Sequence, residues 1–205
     1  MVVIVDYGVG NLFSLKSSLK SIGADATVSG NEEVIRSADK IILPGVGAFG
    51  DAAEKLKECG LDKVLIEEAK AGKKIMGICL GMQLLFEKSF EYGEHEGLGL
   101  LKGQIVPMEG SLPADLKIPH IGWNGLHKIK ESRLLENVKE NDCVYFVHSF
   151  YAVGCEDSLV ATAEYGKELT AVVEKNNVMG CQFHPEKSGN VGLEILKSFV
   201  FGDDL

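Results

Sequence analysis

Gly77-Ile78-Cys79-Leu80-Gly81 sets a thiol between two glycines, after the apolar run 75–78 and before a helical pattern over 82–88. A strand that turns sharply into a helix forces the residue at the bend into a strained backbone conformation. Side chains on either side of it would strike neighbouring elements, and glycine removes them. Amides opening the helix would favour thiolate over thiol, and the Leu80 amide is placed to hold an oxyanion. A lone cysteine is usually a small buried hydrophobe; the flanking glycines and the strand–turn–helix context reverse that reading here. Cysteines 59, 143, 155 and 181 lack such a setting.

A thiolate nucleophile needs a base. In Gln182-Phe183-His184-Pro185-Glu186 the imidazole follows the strand-like run 178–183. An extended backbone would bring Glu186, two residues on, to the same side, where a carboxylate fixes the tautomer and steadies the charged ring. Among the other histidines, His95 reads as a solvated loop residue and His127 as an outward residue on a strand. His120 and His148 could line a site or be structural. Of two glycine turns, Gly8-Val9-Gly10 is not a dinucleotide loop, because position 13 is Phe where a third glycine is needed. Gly45-Val46-Gly47 could supply a second oxyanion donor or be an ordinary tight turn.

The first half alternates blocks able to hold such residues: strand-like 2–5, amphipathic 11–22, strand-like 41–43 ended by Pro44, helical 51–71 with a break at Cys59-Gly60, and strand-like 75–78. Continuous apolar strands separated by helices predict a parallel sheet covered on both faces. The second half predicts short strands at 105–107, 125–129, 144–147, 159–163, 170–174 and 178–183, then a helix over 191–201. With no repeat, low-complexity tract or linker, residues 1–205 read as one α/β domain.

That length suffices for one buried core. The balance of 30 acidic against 21 basic residues, a net charge of −9, argues against a nucleic-acid surface, since no basic stripe is available to neutralise phosphates. The start lacks a basic segment, and Asp6 interrupts its apolar run, unlike a signal peptide. The most apolar stretch, 75–86, is too short to span a membrane. Five cysteines, an odd number with no CxxC pair, suit a reducing compartment and offer neither a disulfide framework nor a zinc site. A cytoplasmic protein without a membrane or nucleic-acid partner is expected.

Together, residues 44–50 (PGVGAFG), 77–89 (GICLGMQLLFEKS), 122–124 (GWN), 146–151 (FVHSFY) and 182–188 (QFHPEKS) resemble the glutaminase subunits of imidazole glycerol phosphate synthase, a family of class I (triad-type) glutamine amidotransferases. GxCxGxQ and HPE alone would mark only the broader class. PGVG, Met82 within CLGMQLLF, PHIGWN and HPEKS point to this member, whereas residues 109–117 match nothing and read as a variable loop. The resemblance implies a flavodoxin-like α/β fold, with a mixed, mostly parallel sheet flanked by helices, and no cofactor or metal. It makes Cys79 the nucleophile, His184 the general base and acid, and Glu186 its orienting carboxylate. Gly45, Val46 and Gly47 become the oxyanion strand, whose peptide can reorient to complete the hole with Leu80. Gln83, Glu91, Ser149, Phe150 and Tyr151 would hold glutamine, partly through backbone. Asn11, Trp123, Tyr145 and Lys187 would lie near the interface with a (βα)8-barrel cyclase, the heterodimer partner that receives the ammonia. A glutaminase serving another synthase, a silent binding module on the same scaffold, and a cysteine hydrolase of similar architecture are the competing readings.

Overall fold

The structure, a computed structural model, describes residues 1–202. Along the first half, β1 (Val2–Val5), β2 (Ala26–Ser29), β3 (Lys40–Leu43) and β4 (Lys74–Ile78) alternate with α1 (Leu12–Ser21), α2 (Glu32–Ser37), α3 (Phe49–Glu58) and α4 (Leu61–Lys70), and α5 (Leu80–Leu84) follows β4 directly. The second half contributes β5 (Phe86–Ser89), β6 (His95–Glu96), β7 (Leu101–Pro107), β8 (His120–Gly125), β9 (His127–Lys128), β10 (Cys143–His148) and β11 (Phe150–Val153). It then adds β12 (Leu159–Glu164), β13 (Glu168–Lys175), β14 (Val178–Cys181) and a closing α6 (Gly189–Phe201). The main sheet has the order β2-β1-β3-β4-β14-β13-β12-β9. It is parallel as far as β14 and antiparallel beyond it. A β8–β10 ribbon and a smaller β11-β7-β5-β6 sheet complete the α/β fold.

Burial on both faces explains why the first strands are continuous apolar runs. Val3, Val5, Ile41, Leu43 and Ile75 pack beneath α3 and α4, which offer Ala52, Leu56, Val64 and Leu65. Their alternates Val2, Ile4, Ile42, Met76 and Ile78 meet Leu15 and Leu19 of α1 and Ile195, Leu196 and Phe199 of α6. Each helix therefore buries residues three and four apart, as a helix covering one sheet face must. The break at Cys59-Gly60 falls where expected, with Gly60 at φ +70°. No helix among the described residues is long and apolar enough to cross a membrane.

Four expectations need correction. The helix expected over 82–88 stops at Leu84. Leu98 N bonds the Leu84 carbonyl, Leu100 and Leu101 N share that of Leu85, and Gly99 N takes that of Phe86. Residues 98–101, well beyond a helix's four-residue reach, occupy the acceptors a longer helix would need, and residues 86–89 pair as a strand instead. The strand expected at 125–129 begins at His120 and breaks at Leu126, because residues 120–125 pair along their whole length with β10. The periodicity also passed over β2 and the six-residue α2, which is capped by Asn31 accepting from Val34 N. His95 is half-buried in β6, its ring pressed so close to Gly50 that a Cβ there would lie 2.6 Å from Cε1. The 109–117 loop lies over Tyr165, whose hydroxyl donates to the Lys117 carbonyl.

Candidate active site

The bend after β4 is built from absent side chains. Cys79 has φ +54° and ψ −114°, strained values for a non-glycine residue. A Cβ on Gly81 would lie 1.8 Å from the Leu43 carbonyl oxygen, and one on Gly77 2.6 Å from the backbone of Gly81 and Met82. Glycine at both positions lets α5 pack directly on β3 and β4. The strain is held by the sheet: Cys79 N donates to the Cys181 carbonyl at 2.8 Å, beside the β4–β14 pairing of Ile78 with Cys181.

β14 leads the candidate base, His184, to this bend. His184 N donates to the Tyr145 carbonyl, and Ser188 Oγ donates to the His184 carbonyl at 2.6 Å while accepting from Tyr145 N at 3.0 Å. Backbone on both sides of the imidazole is thus fixed before its ring makes a contact. Glu186 reaches the ring by a route the sequence did not suggest. Pro185–Lys187 form a 3-10 turn, so a turn, not two-residue strand alternation, brings Glu186 Oε1 to 2.8 Å from His184 Nδ1. Gly192 permits α6 to lie on that turn, since a Cβ there would sit 1.9 Å from the Pro185 oxygen.

The electrostatics favour an imidazolium. The Glu186 side chain is 3 % exposed, and its Oε2 is buried with no hydrogen-bond partner among the described residues. A buried carboxylate satisfied on one oxygen leans on the cation it bonds. Burial pulls the His184 pKa down, yet the Cys79 sulfur and Glu186 outweigh it and raise it to about 9. With Nδ1 on Glu186, Nε2 is left to face the sulfur.

Cys79, Leu80 and His184 open on a cavity of about 390 Å³, also lined by Val46, Gly47, Gln83, Glu91, Ser149, Phe150 and Lys187. Most of the residues named for substrate therefore meet in one place. Gln83 donates Nε2 to the Phe150 carbonyl and to Gln182 Oε1. Glu91 accepts from Phe49 N at the start of α3; burial raises its pKa, and the Phe49 amide opposes that. Two of the named residues sit differently. Gly45 lies beneath the cavity, where a Cβ would meet Gly81 N at 2.8 Å. Tyr151 turns its ring into a separate cluster with Met108 and Leu169, and its hydroxyl accepts from Lys167, so its side chain does not line the cavity.

The candidates named for an interface are Lys187, at the cavity wall, with Trp123, Tyr145 and Asn11. Trp123 is 55 % exposed, pairs with Tyr145 across β8 and β10, and meets its ring edge-on at 5.8 Å. Lys187 Nζ stands 6.0 Å from the Tyr145 ring. Asn11 caps α1 by accepting from Ser14 N, and α1 packs against the Pro185–Lys187 turn.

Several contributors escaped the sequence reading. Tyr7 donates to the Pro44 carbonyl at 2.8 Å; burial, with the Cys79 sulfur adding to it, pushes the phenol far above its usual range, so it remains a donor. Tyr92 and Pro119 line the cavity without any local signal, Tyr92 through a φ of +54°. His148, left open, lines it too. Its Nδ1 must donate to the Phe150 carbonyl, and its Nε2 stands 3.1 Å from His120 Nδ1. Burial drives the His148 pKa down to about 3 and keeps it neutral. The Gly8-Val9-Gly10 turn packs on Pro44, 3.2 Å from a Cβ at Gly10.

A cysteine at a strand–helix bend, a histidine and glutamate after an adjacent strand, and a mixed sheet with helices on both faces define a class I glutamine amidotransferase. The family model of glutamine amidotransferase class-I matches residues 3–202. Among solved structures, a glutamine amidotransferase aligns with a TM-score of 0.75 at 20 % identity, covering 97 % of this chain and 99 % of that one. The structure of PurLQS from Thermotoga maritima aligns at 0.74 and 23 % identity, covering 98 % and 97 %. These two likenesses speak for the fold. The chain is 48 % identical over 200 residues, 97 % of both proteins, to imidazole glycerol phosphate synthase subunit HisH of Lactococcus lactis subsp. lactis. It is 50 % identical over 200 residues, again 97 % of both, to that of Caldanaerobacter subterraneus subsp. tengcongensis. The HisH subunit of Aquifex aeolicus is 49 % identical over 96 % of this chain and 94 % of its own. The chain belongs to the class I glutamine amidotransferase family, within its HisH branch.

Proposed function

We propose that this chain is the glutaminase subunit of imidazole glycerol phosphate synthase, releasing ammonia from glutamine through a cysteine thioester. One observation carries the reading: the Cys79 sulfur and the raised His184, backed by the partly unsatisfied Glu186, open on a cavity walled by Gln83, Glu91 and Phe150, in a chain that matches HisH subunits over 97 % of its length. Glutamine enters with its α-ammonium toward the Glu91 carboxylate. Cys79 thiolate adds to the carboxamide carbon, and the Leu80 amide with a peptide of residues 45–47 holds the oxyanion. The C–N bond breaks as His184 gives its Nε2 proton to the departing nitrogen, leaving ammonia and a γ-glutamyl thioester. His184 then takes a proton from water, which attacks the thioester, frees glutamate and restores the thiolate.

Neutral ammonia is the useful nucleophile, and bulk water near neutral pH would capture most of it as ammonium. A docked acceptor solves this. The partner proposed is a (βα)8-barrel cyclase, seated over Trp123, Tyr145, Lys187 and the Asn11 end of α1; Phe13 and Ile121, 83 % and 58 % exposed, supply apolar area in the same elements. It would use the ammonia to make imidazole glycerol phosphate and aminoimidazole carboxamide ribotide. Five free cysteines support a cytoplasmic setting, and residues 1–205 are proposed to act as one domain.

The test is synthesis by the chain paired with such a cyclase. Cys79→Ser should cut glutamine-dependent synthesis on the order of 10⁴-fold and leave ammonia-dependent synthesis intact. Retained glutamine-dependent turnover overturns the mechanism, and loss of both activities points to a structural role for this subunit. If a different synthase, and not this cyclase, restores glutamine-dependent activity, the assignment within the family falls.

A further inference from the structure

The Gln182 side chain is fully buried, and the mechanism above makes no use of it. Its orientation follows from what surrounds it. A peptide carbonyl can only accept, so the end of Gln83 at the Phe150 oxygen must be its NH2 group, which also points at Gln182. The end of Gln182 meeting that NH2 must then be its oxygen, at 3.0 Å. This turns the Gln182 NH2 group toward the nucleophile, with Nε2 at 3.8 Å from Cys79 Sγ. The sheet sets the approach, because the Cys79 N to Cys181 O bond places the next residue of that strand end, Gln182, beside the bend.

We propose that Gln182 is a positioning residue for the nucleophile: its amide N–H grips the Cys79 sulfur in its charged form, and its oxygen ties that grip to Gln83 in the substrate cavity. The inference rests on the glutaminase reading and adds to it a second donor to the sulfur besides His184. A hydrogen bond to an ionised acceptor in a buried site is stronger than one between neutral groups, so a donor held in place favours thiolate without needing a charge of its own. Two donors from different directions also restrict where the sulfur sits relative to a bound carboxamide. Because Gln83 bonds Gln182 and lines the cavity, a ligand that moves Gln83 moves the grip on sulfur. The other titratable groups facing Cys79 are His184, Tyr7 and Cys181, with Glu186 behind His184. Burial holds the Tyr7 phenol and the Cys181 thiol in their neutral forms, and Cys181 Sγ donates to the Phe183 carbonyl, so neither substitutes for the amide.

The experiment follows alkylation of Cys79 by iodoacetamide, read at its own peptide by mass spectrometry from about pH 5 to about pH 10. Wild type, Gln182→Glu and Gln182→Met are compared as full chains, alone and with the cyclase. Gln182→Glu keeps the shape but replaces the donor with a like charge, and should move the inflection up by about one pH unit, a tenfold smaller reactive fraction near neutrality. Gln182→Met removes the donor without adding charge and should move it less, in the same direction, with kcat falling more than KM rises. A packing role alone would lower stability and leave both curves on that of wild type; that coincidence overturns the proposal. If Gln182→Glu does not fold, the Gln182→Met curve decides in the same way. Labelling wild type with a glutamine-like chloroketone separates the two levels: no adduct on Cys79 sinks the glutaminase reading, whereas an adduct with unmoved variant curves sinks only the role of Gln182.

Discussion

Two glycine-bearing strand ends lie side by side at the site, and they are built to opposite tolerances. β4 runs into Gly77–Gly81, where an added methyl at either glycine would enter backbone atoms at 2.6 Å or less. β3, paired with β4 through Leu43 and Gly77, runs into Pro44–Gly47. That second segment begins clamped and ends free. Tyr7 holds the Pro44 carbonyl, and Gly45 is hemmed in by Gly81, Leu80 and Tyr7. Val46 is 44 % exposed, and Gly47 has φ +92° with nothing within 4 Å of a Cβ. Glycine serves space at 45, 77 and 81 and conformation at 47. The proposed nucleophile is thus preset by the sheet, while the last peptides of the proposed oxyanion arm have room to turn. A partner seated over that arm could therefore select its orientation without disturbing the thiol.

The sharpest way to break this contrast is Gly81→Ala. Its methyl would meet the Leu43 carbonyl with only backbone to give way, so stability should fall by about 4 kcal/mol or more in chemical denaturation, with glutaminase activity lost. A drop near 1 kcal/mol would mean the bend is not clamped. Glu186→Gln tests the electrostatic side of the preset arm: glutaminase kcat should fall on the order of 10³-fold with the fold retained. The same variant reads out in pH. His184 is raised from 6.5 to about 9, so the folded chain binds that proton more tightly than the unfolded one. The stabilisation is whole below pH 6.5 and disappears as pH rises through about 9. Urea midpoints of wild type should decline across that window and those of Glu186→Gln should decline less; equal slopes would remove the ion pair from the account. Gly47→Ala should be mildest for the fold, costing about 1 kcal/mol of backbone strain, yet it should lower partner-stimulated glutaminase roughly tenfold. An effect on stability as large as that of Gly81→Ala would erase the distinction between the two arms.

What could be read in advance depended on how local the cause was. The α/β alternation and most of the strands came through because burial on two faces leaves an uninterrupted apolar run. The Cys79 bend was legible because space and strain restrict the residues next to it. His184 and Glu186 were paired correctly for an incorrect local reason, since a 3-10 turn does the work assigned to an extended strand. The end of α5 was misread because its competitors for hydrogen bonds, residues 98–101, lie outside any local window. Tyr151 was named with Ser149 and Phe150 through the family resemblance, partly for its backbone, and strand alternation sends its ring away from the cavity.

By itself the amino-acid sequence determined which groups could react: a thiol between glycines, an imidazole with a carboxylate two residues on, and the motifs shared with the HisH branch. Those are short-range facts, written by steric and chemical demands on adjacent residues. Only the tertiary structure decided that Gly45 is locked while Gly47 is free, that Tyr7 anchors Pro44, and that the Gln182 amide faces the sulfur. Each of these depends on which carbonyl, hydroxyl or amide from a distant strand fills the space beside it, and that is set by packing across the sheet and not by spacing along the chain.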